Sequence, residues 1–315
     1  MSIQLKYTED FSDGLKRLMI DQCEKALKFI DAAKNYEEKH KAVHESRKAF
    51  KKVRACLRLV RDSIDFYDEE NKFFRDLGRT ISDVRDSVSN LETLELIKEQ
   101  YDENLYQNSF LELEKDLKNY RDELAEKTFE VQKCLTNIEE KLVEKLEEIP
   151  GWRIEIAGFD DIKSGIKRTY KRGRKGKKRA EENGAAEEIH EWRKRAKYLR
   201  YQVDVINRVW PQAIEAYEDE LHDITDLLGL HHDLEVLKKT IEERKGSFSD
   251  PQEKILFFSL IEKQQDFMKR HGTLKGHRCY FDSPSDFVDR LEVCWKAHRS
   301  EVEDSLLPGS ESLEY

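Results

Sequence analysis

The sequence predicts an all-α protein, and three observations carry the prediction. Charged residues make up 39% of the 315-residue chain, while glycine and proline number only 13 and 5. That composition favours long, solvated helices over sheets with many tight turns. Apolar residues recur at helical spacing through most of the chain. Finally, a strongly basic helical string, HESRKAFKKVR at residues 44 to 54, returns as HEWRKRAKYLR at residues 190 to 200.

The elements follow in order. Leu15, Leu18, Met19, Ala26, Phe29, Ile30 and Ala33 mark a first helix over 11 to 36, and further helices are expected over 40 to 67 and 72 to 98. Leu111, Leu113, Leu117, Leu124, Val131, Leu135 and Leu142 run through a charged stretch, 103 to 148, that reads as one very long helix or two. Pro150-Gly151 stops it, since proline removes a donor and glycine favours the exit from a helix. WRIEIAGF reads as irregular or β-like. Helical pattern resumes near Asp160 and enters KRTYKRGRKGKKR, whose two glycines weaken a helix enough to make a basic loop an equal alternative. AEENGAAEE supplies a break, and helices are expected over 187 to 209, 211 to 243, 251 to 271 and 284 to 303. The domain is read as 5 to 300, with a first helical bundle over 5 to 149 and a second over 152 to 300; residues 301 to 315 form a frayed tail.

Composition bounds the function. The 38% hydrophobic content suffices for real cores. Five scattered cysteines with no CxxC pair argue against a disulfide framework or structural zinc. MSIQLKYTEDFSDG lacks a basic-then-apolar leader pattern, and no apolar run approaches membrane-spanning length, so a cytoplasmic protein is expected. With 57 basic and 66 acidic side chains the net charge is -9, which disfavours indiscriminate attraction to polyanions. Any polyanion site must therefore come from local charge.

That local charge lies in the repeat. At an offset of 146, His44, Glu45, Arg47, Lys48, Lys51 and Arg54 coincide with His190, Glu191, Arg193, Lys194, Lys197 and Arg200. The apolar register agrees as well, Val43 with Ile189 and Val53 with Leu199. At about 100° per residue, Lys51, Arg54, Arg58 and Arg61 fall within about 40° of Arg47, on a stripe that borders the apolar arc of Phe50, Val53 and Leu57. A solvated face mixes charge signs, yet residues 44 to 61 hold seven Lys or Arg and one Glu. An external anion or acidic neighbours must offset them. The second stripe is shorter, because Asp204 and Asn207 stand where the first has Arg58 and Arg61. Lys167, Lys171, Arg174 and Lys178 recur at helical spacing just before it, with Tyr170 alongside. Arg47 to Arg61 spans about 21 Å, which suits a linear polyphosphate or a nucleic-acid backbone better than one small phosphate.

The pattern His, two residues, Arg, three residues, Lys, two residues, Arg, present in both copies, resembles the CHAD family, the conserved-histidine α-helical domain. YKRGRK ahead of the second copy, LGRTISDVRD against LLGLHHDLEVL, and the stretch from Leu274-Lys275 to Trp295 extend the resemblance over about residues 5 to 300. It implies two pseudo-symmetric helical bundles around a basic central groove or pore that binds inorganic polyphosphate without catalysis, at polyphosphate granules among other places, and with no cofactor or metal. Carried over by position, His44, Arg47, Lys51, Arg54, His190, Arg193, Lys197 and Arg200 face the ligand, and Tyr170, Lys171, Arg174, Lys275 and Arg278 are second contributors. The basic stripe adds Arg58. In one departure, the second copy carries His232-Asp233 where the family tends to have Arg-Asp, as in Arg85-Asp86.

Other chemistries have weaker support. His222, His231, His232 and Asp233 suggest a metal-dependent phosphohydrolase, but a complete ligand set is not evident. Glu37-x-x-His40 and Glu187-x-x-His190 mimic di-iron ligands, yet a ring of Arg and Lys would oppose two divalent cations. Single-stranded nucleic acid satisfies the same cations and is the main alternative, though Tyr198 and Tyr201 sit off the charged stripe as packing residues do. A histidine beside bound phosphate tends to hold a proton, so tighter binding at mildly acidic pH is expected.

Overall fold

A computed structural model describes residues 3–106, 108–244 and 247–305. Its regular structure is helical: α1 (Phe11–Asp31), α2 (Tyr36–Leu59), α3 (Tyr67–Thr80), α4 (Ser82–Gln100), α5 (Leu111–Glu126), α6 (Cys134–Glu148), α7 (Asp160–Asn183), α8 (Ala186–Val205), α9 (Pro211–Glu243), α10 (Pro251–Cys279) and α11 (Pro284–Ser305). The all-α expectation holds, and no strand occurs among the described residues.

Local chemistry sets the ends. The Asp10 carboxylate accepts from the Ser12 and Asp13 amides at the start of α1, and Asn35 and Glu38 form a reciprocal capping box on α2. Pro211 and Pro251 open α9 and α10, where the missing N–H is no loss. Gly184, at φ 62°, closes α7 in the left-handed conformation that glycine adopts without a Cβ clash. The stretch 103–148 is two helices, parted by a π turn at Lys127–Val131 and by Lys133 at φ 47°. The run KRGRKGKKR is not a loop. It stays within α7, where Gly173 and Gly176 let the helix approach Tyr280 and Trp192 more closely than a Cβ would allow.

Several expected boundaries move. The chain turns at 32–35 and again at 60–66, so the predicted helices over 11 to 36 and 40 to 67 each end early. α10 runs on to Cys279, well past residue 271. Residues 301–305 continue α11, and the remainder of the expected tail lies outside the described residues.

Apolar packing runs across Pro150. The larger apolar cluster joins Leu15, Phe50 and Leu57 to Ile166, Trp192 and Leu199 across that point. A second, smaller cluster packs Leu94, Ile97 and Leu113 from α4 and α5 against Leu234, Leu237 and Phe257 from α9 and α10. Segments from both sides of Pro150 thus bury each other's apolar faces, each large side chain contributing about 1.5–3 kcal/mol. The N-terminus is pinned the same way. The Ile3 amide donates to Asp204 Oδ2 at 2.7 Å, and Arg208 donates to the Lys6 and Glu9 carbonyls at 2.7 and 2.6 Å.

At the centre, α2 packs against α8, with α1 and α3 bracing α2 and with α7 and α9 bracing α8. Val43, Phe50, Val53 and Leu57 fix the buried side of α2, and Ile189, Trp192, Ala196 and Leu199 that of α8. Their basic stripes are left beside the packed side, next to each other.

Candidate functional site

A cavity of about 640 Å³ opens where α2 meets α8. Its walls are His44, Arg47, Lys48, Lys51, Lys52 and Arg54 from α2, and His190, Arg193, Lys194, Lys197, Tyr198, Arg200, Tyr201 and Asp204 from α8. α4 adds Arg85, Asp86 and Ser89; α9 adds Glu218, His222, Asp226, His232 and Asp233; Gln4 completes the lining. Ten Lys or Arg side chains thus face five carboxylates.

Most of those carboxylates are already engaged. Glu218 accepts from Arg200, Asp226 pairs with His222 at 3.0 Å, and Asp204 holds the Ile3 amide. Asp86 and Asp233 lie deep beside the cations, and burial raises both carboxyl pKa values despite Arg47 and Arg193 nearby. On the other side of the balance, Arg47 donates to the Gly78 carbonyl at 2.8 Å and Arg54 to Asn71 at 3.2 Å. Both acceptors are neutral, so neither hydrogen bond cancels charge. Arg193 lies against Gly229, where a Cβ would stand 3.3 Å from its Nε and Nη2.

Among the described residues, Lys51 and Lys197 make no hydrogen bond or ion pair, and each feels the other's surroundings. Enclosure first, then Lys197, Arg47 and Arg193, push the Lys51 ammonium well below its usual pKa. Burial first, then Arg193 and Arg200, bring Lys197 to about 8. Burial also lowers His44, His190 and His232, so these three imidazoles are neutral at pH 7. Confined cations that repel one another and outnumber the carboxylates around them make a site that a multivalent anion would relax.

Eight of the expected site residues meet here: His44, Arg47, Lys51, Arg54, His190, Arg193, Lys197 and Arg200. Six do not. Arg58 lies over the Tyr198 ring at 4.4 Å, in a smaller recess with Arg61, Arg168, Arg172 and Arg195. Tyr170 is fully buried; its ring stacks on Phe287 at 4.1 Å and its hydroxyl donates to the Asp282 carbonyl. Lys171 and Arg174 are on the exposed side of α7. Lys275 is held by Glu220 and Asp223, and Arg278 by Glu220, at 2.8–3.1 Å. These six shared the sequence's charge or spacing but not a face that packing turned toward the cavity.

Sequence reasoning also passed over contributors. Lys48 and Lys194 were visible as repeat identities. Arg85, Asp86, His232 and Asp233 stood in the paired leucine-glycine segments without an assigned place in the site. Tyr201 reads from the sequence as a packing residue and Lys52 falls off the Arg47 stripe, and the fold alone brings both to the cavity.

A family model for the CHAD domain matches residues 19–242. The chain belongs to the CHAD-domain family. The matched span contains every cavity-lining residue of this CHAD chain except Gln4. No curated protein matches the chain.

Proposed function

We propose that this CHAD chain binds inorganic polyphosphate in the α2–α8 cavity and does no chemistry on it. The observation that carries this reading is Lys51 and Lys197, enclosed in one cavity without a hydrogen bond or ion pair of their own and flanked by Arg193. A linear chain of phosphates offers each of them an acceptor at once, and arginine forks match phosphate oxygens two at a time. The family supports the same ligand class. The proposal includes a cytoplasmic setting, with polyphosphate granules as one place where the ligand would be met.

Two competing chemistries are less well served. Single-strand binding uses open aromatic faces, whereas here Arg54 and Arg58 lie over Tyr198 at 5.8 and 4.4 Å, and Lys52 and Arg200 over Tyr201 at 5.8 and 5.9 Å. Bases would have to displace those cations. For a metal-dependent hydrolase, the described residues contain no group of three or more His, Cys, Asp or Glu side chains placed to hold an ion.

Competition between long-chain polyphosphate and single-stranded RNA for the purified protein at physiological salt tests the reading. Polyphosphate should win, and joint replacement of Arg47, Arg54, Arg193 and Arg200 by Ala should weaken it by at least tenfold, since each charged hydrogen bond is worth about 1.5–3 kcal/mol. RNA winning, or unchanged polyphosphate affinity in the fourfold variant, overturns it. Steady phosphate release with added divalent metal, abolished by changing His232 and Asp233, favours the hydrolase instead.

A further inference from the structure

The two repeat histidines in the cavity lining have different partners. On α2, His44 Nδ1 accepts a hydrogen bond from Arg85 Nε at 3.2 Å. Arg85 is a permanent cation, held by Glu92 at 3.0 Å. On α8, His190 instead faces His232 of α9, with ring centroids 3.9 Å apart and planes tilted by 34°. Arg85 and His232 each lie against one of the two repeat histidines, so one histidine neighbours a fixed charge and the other a group that can acquire one.

The surroundings decide which form the histidine pair takes. His190 meets Arg193, Lys194 and Glu191 on its own helix and Lys51 from α2. His232 meets His231 and Lys239 on its own helix and Arg193 from α8. Asp233, the carboxylate beside it, is shared with Arg193, Arg85 and Lys51. His190 Nδ1 is buried with no hydrogen-bond partner. Cations outnumber carboxylates around both rings, and burial disfavours charge, so the empty cavity keeps the pair neutral. A bound polyanion reverses that balance, because negative charge within about 4–6 Å favours the imidazolium.

We propose that the His190–His232 pair is a proton-linked charge switch: a polyphosphate chain entering the cavity is captured together with a proton, which makes binding tighten as pH falls. This rests on the polyphosphate reading and adds regulation to the same site. The proton comes from solvent and settles on one ring nitrogen of the pair. No bond to phosphorus forms or breaks.

Calorimetry of long-chain polyphosphate binding at pH 6.5, in two buffers of different ionisation enthalpy, counts the protons taken up. Wild-type protein should take up roughly one proton at the pair per occupied site, and its affinity should rise between pH 8 and pH 6. His232→Arg supplies beside His190 the fixed charge that Arg85 supplies beside His44. It should lose this uptake, flatten the pH profile, and bind about two- to fivefold more tightly than wild type at pH 8. His232→Gln should lose the uptake and the gain at low pH together. Asp86, Asp233, His44, Lys51 and Lys197 stay in both variants, so uptake and pH dependence that persist unchanged in them belong to those groups and overturn the switch.

A second measurement needs no variant. The His190 and His232 ring-proton NMR midpoints should rise by about 1–3 pH units when polyphosphate is added; unmoved midpoints with polyphosphate bound refute the switch. If polyphosphate fails to bind at any pH, the proposed function falls. The pair is then titrated in sulfate against chloride, where a rise in sulfate upholds the switch for anions in general and an unchanged midpoint refutes it.

Discussion

At the scale of single residues, Lys51 and Lys197 show a conflict between stability and ligand capture. Their apolar stems pack where α2 meets α8, but their ammonium groups share one enclosure. Lys197 titrates at about 8 in the folded chain, below the unfolded value of about 10.4. The sign follows. A cation with a depressed folded pKa penalises the fold below that pKa, and the penalty disappears as pH rises past the unfolded value. Replacing Lys51 or Lys197 with Met should therefore stabilise the empty protein at pH 7 by about 1–3 kcal/mol in urea denaturation, as removal of an unpaired buried charge does. The same variants should bind polyphosphate less tightly. If stability falls or affinity is unchanged, the two ammonium groups are not the strained pair described here.

At the scale of elements, the rotation of α8 about its axis determines which side chains reach the cavity. Trp192 is fully buried and acts as the pivot. It fits because α7 and α10 present glycines: a Cβ on Gly176 would meet the Trp192 Cα at 3.1 Å, and one on Gly276 would meet Trp192 Cζ2 at 2.6 Å. The neighbouring Arg193, with Lys197 one turn further, then projects into the cavity. Gly276→Val should displace the indole, destabilise the protein by about 1–3 kcal/mol and lower polyphosphate affinity although residue 276 lies outside the cavity. Thermal melting with binding measurements on the same sample checks both. An unaltered affinity would mean that α8 does not depend on that contact for its orientation. The glycines that weaken KRGRKGKKR as an isolated helix are thus the residues that let it pack as one.

At the scale of the whole molecule, enclosure makes the protein sensitive to acid. Six of its nine histidines, His40, His44, His190, His231, His232 and His298, have depressed pKa values, burial being the first cause of each. Unfolded, they bind protons from about pH 6.5 downward, while the folded chain does not. The unfolded state then holds more protons, and stability falls with pH. The urea midpoint of the empty protein should drop between pH 7 and pH 5. Bound polyphosphate should reduce that drop, because charging the cavity histidines then becomes favourable. Asp86, Asp204, Asp233 and Glu70 have raised values from burial and act with the opposite sign at the acid end. A midpoint that rises from pH 7 to pH 5 without ligand would mean that the carboxylates dominate.

Much of this was decided by the chain's own pattern. Helical class, most element positions and the paired basic strings were legible, because apolar spacing and charge are properties of neighbours in sequence. The arithmetic that set Arg47, Lys51 and Arg54 on one stripe beside the apolar arc of α2 needed no tertiary information. Tertiary structure decided the rest. Arg58 belongs to the same stripe but lies beyond Tyr198, in a separate recess. Tyr170 sits within a basic segment but packs on Phe287. Arg85 and His232 come from α4 and α9, far from either string, and only packing sets them against His44 and His190. Sequence fixes which faces are charged; the burial of apolar surface between α2, α8 and their supports decides which charged faces meet, and so which cations lose their water.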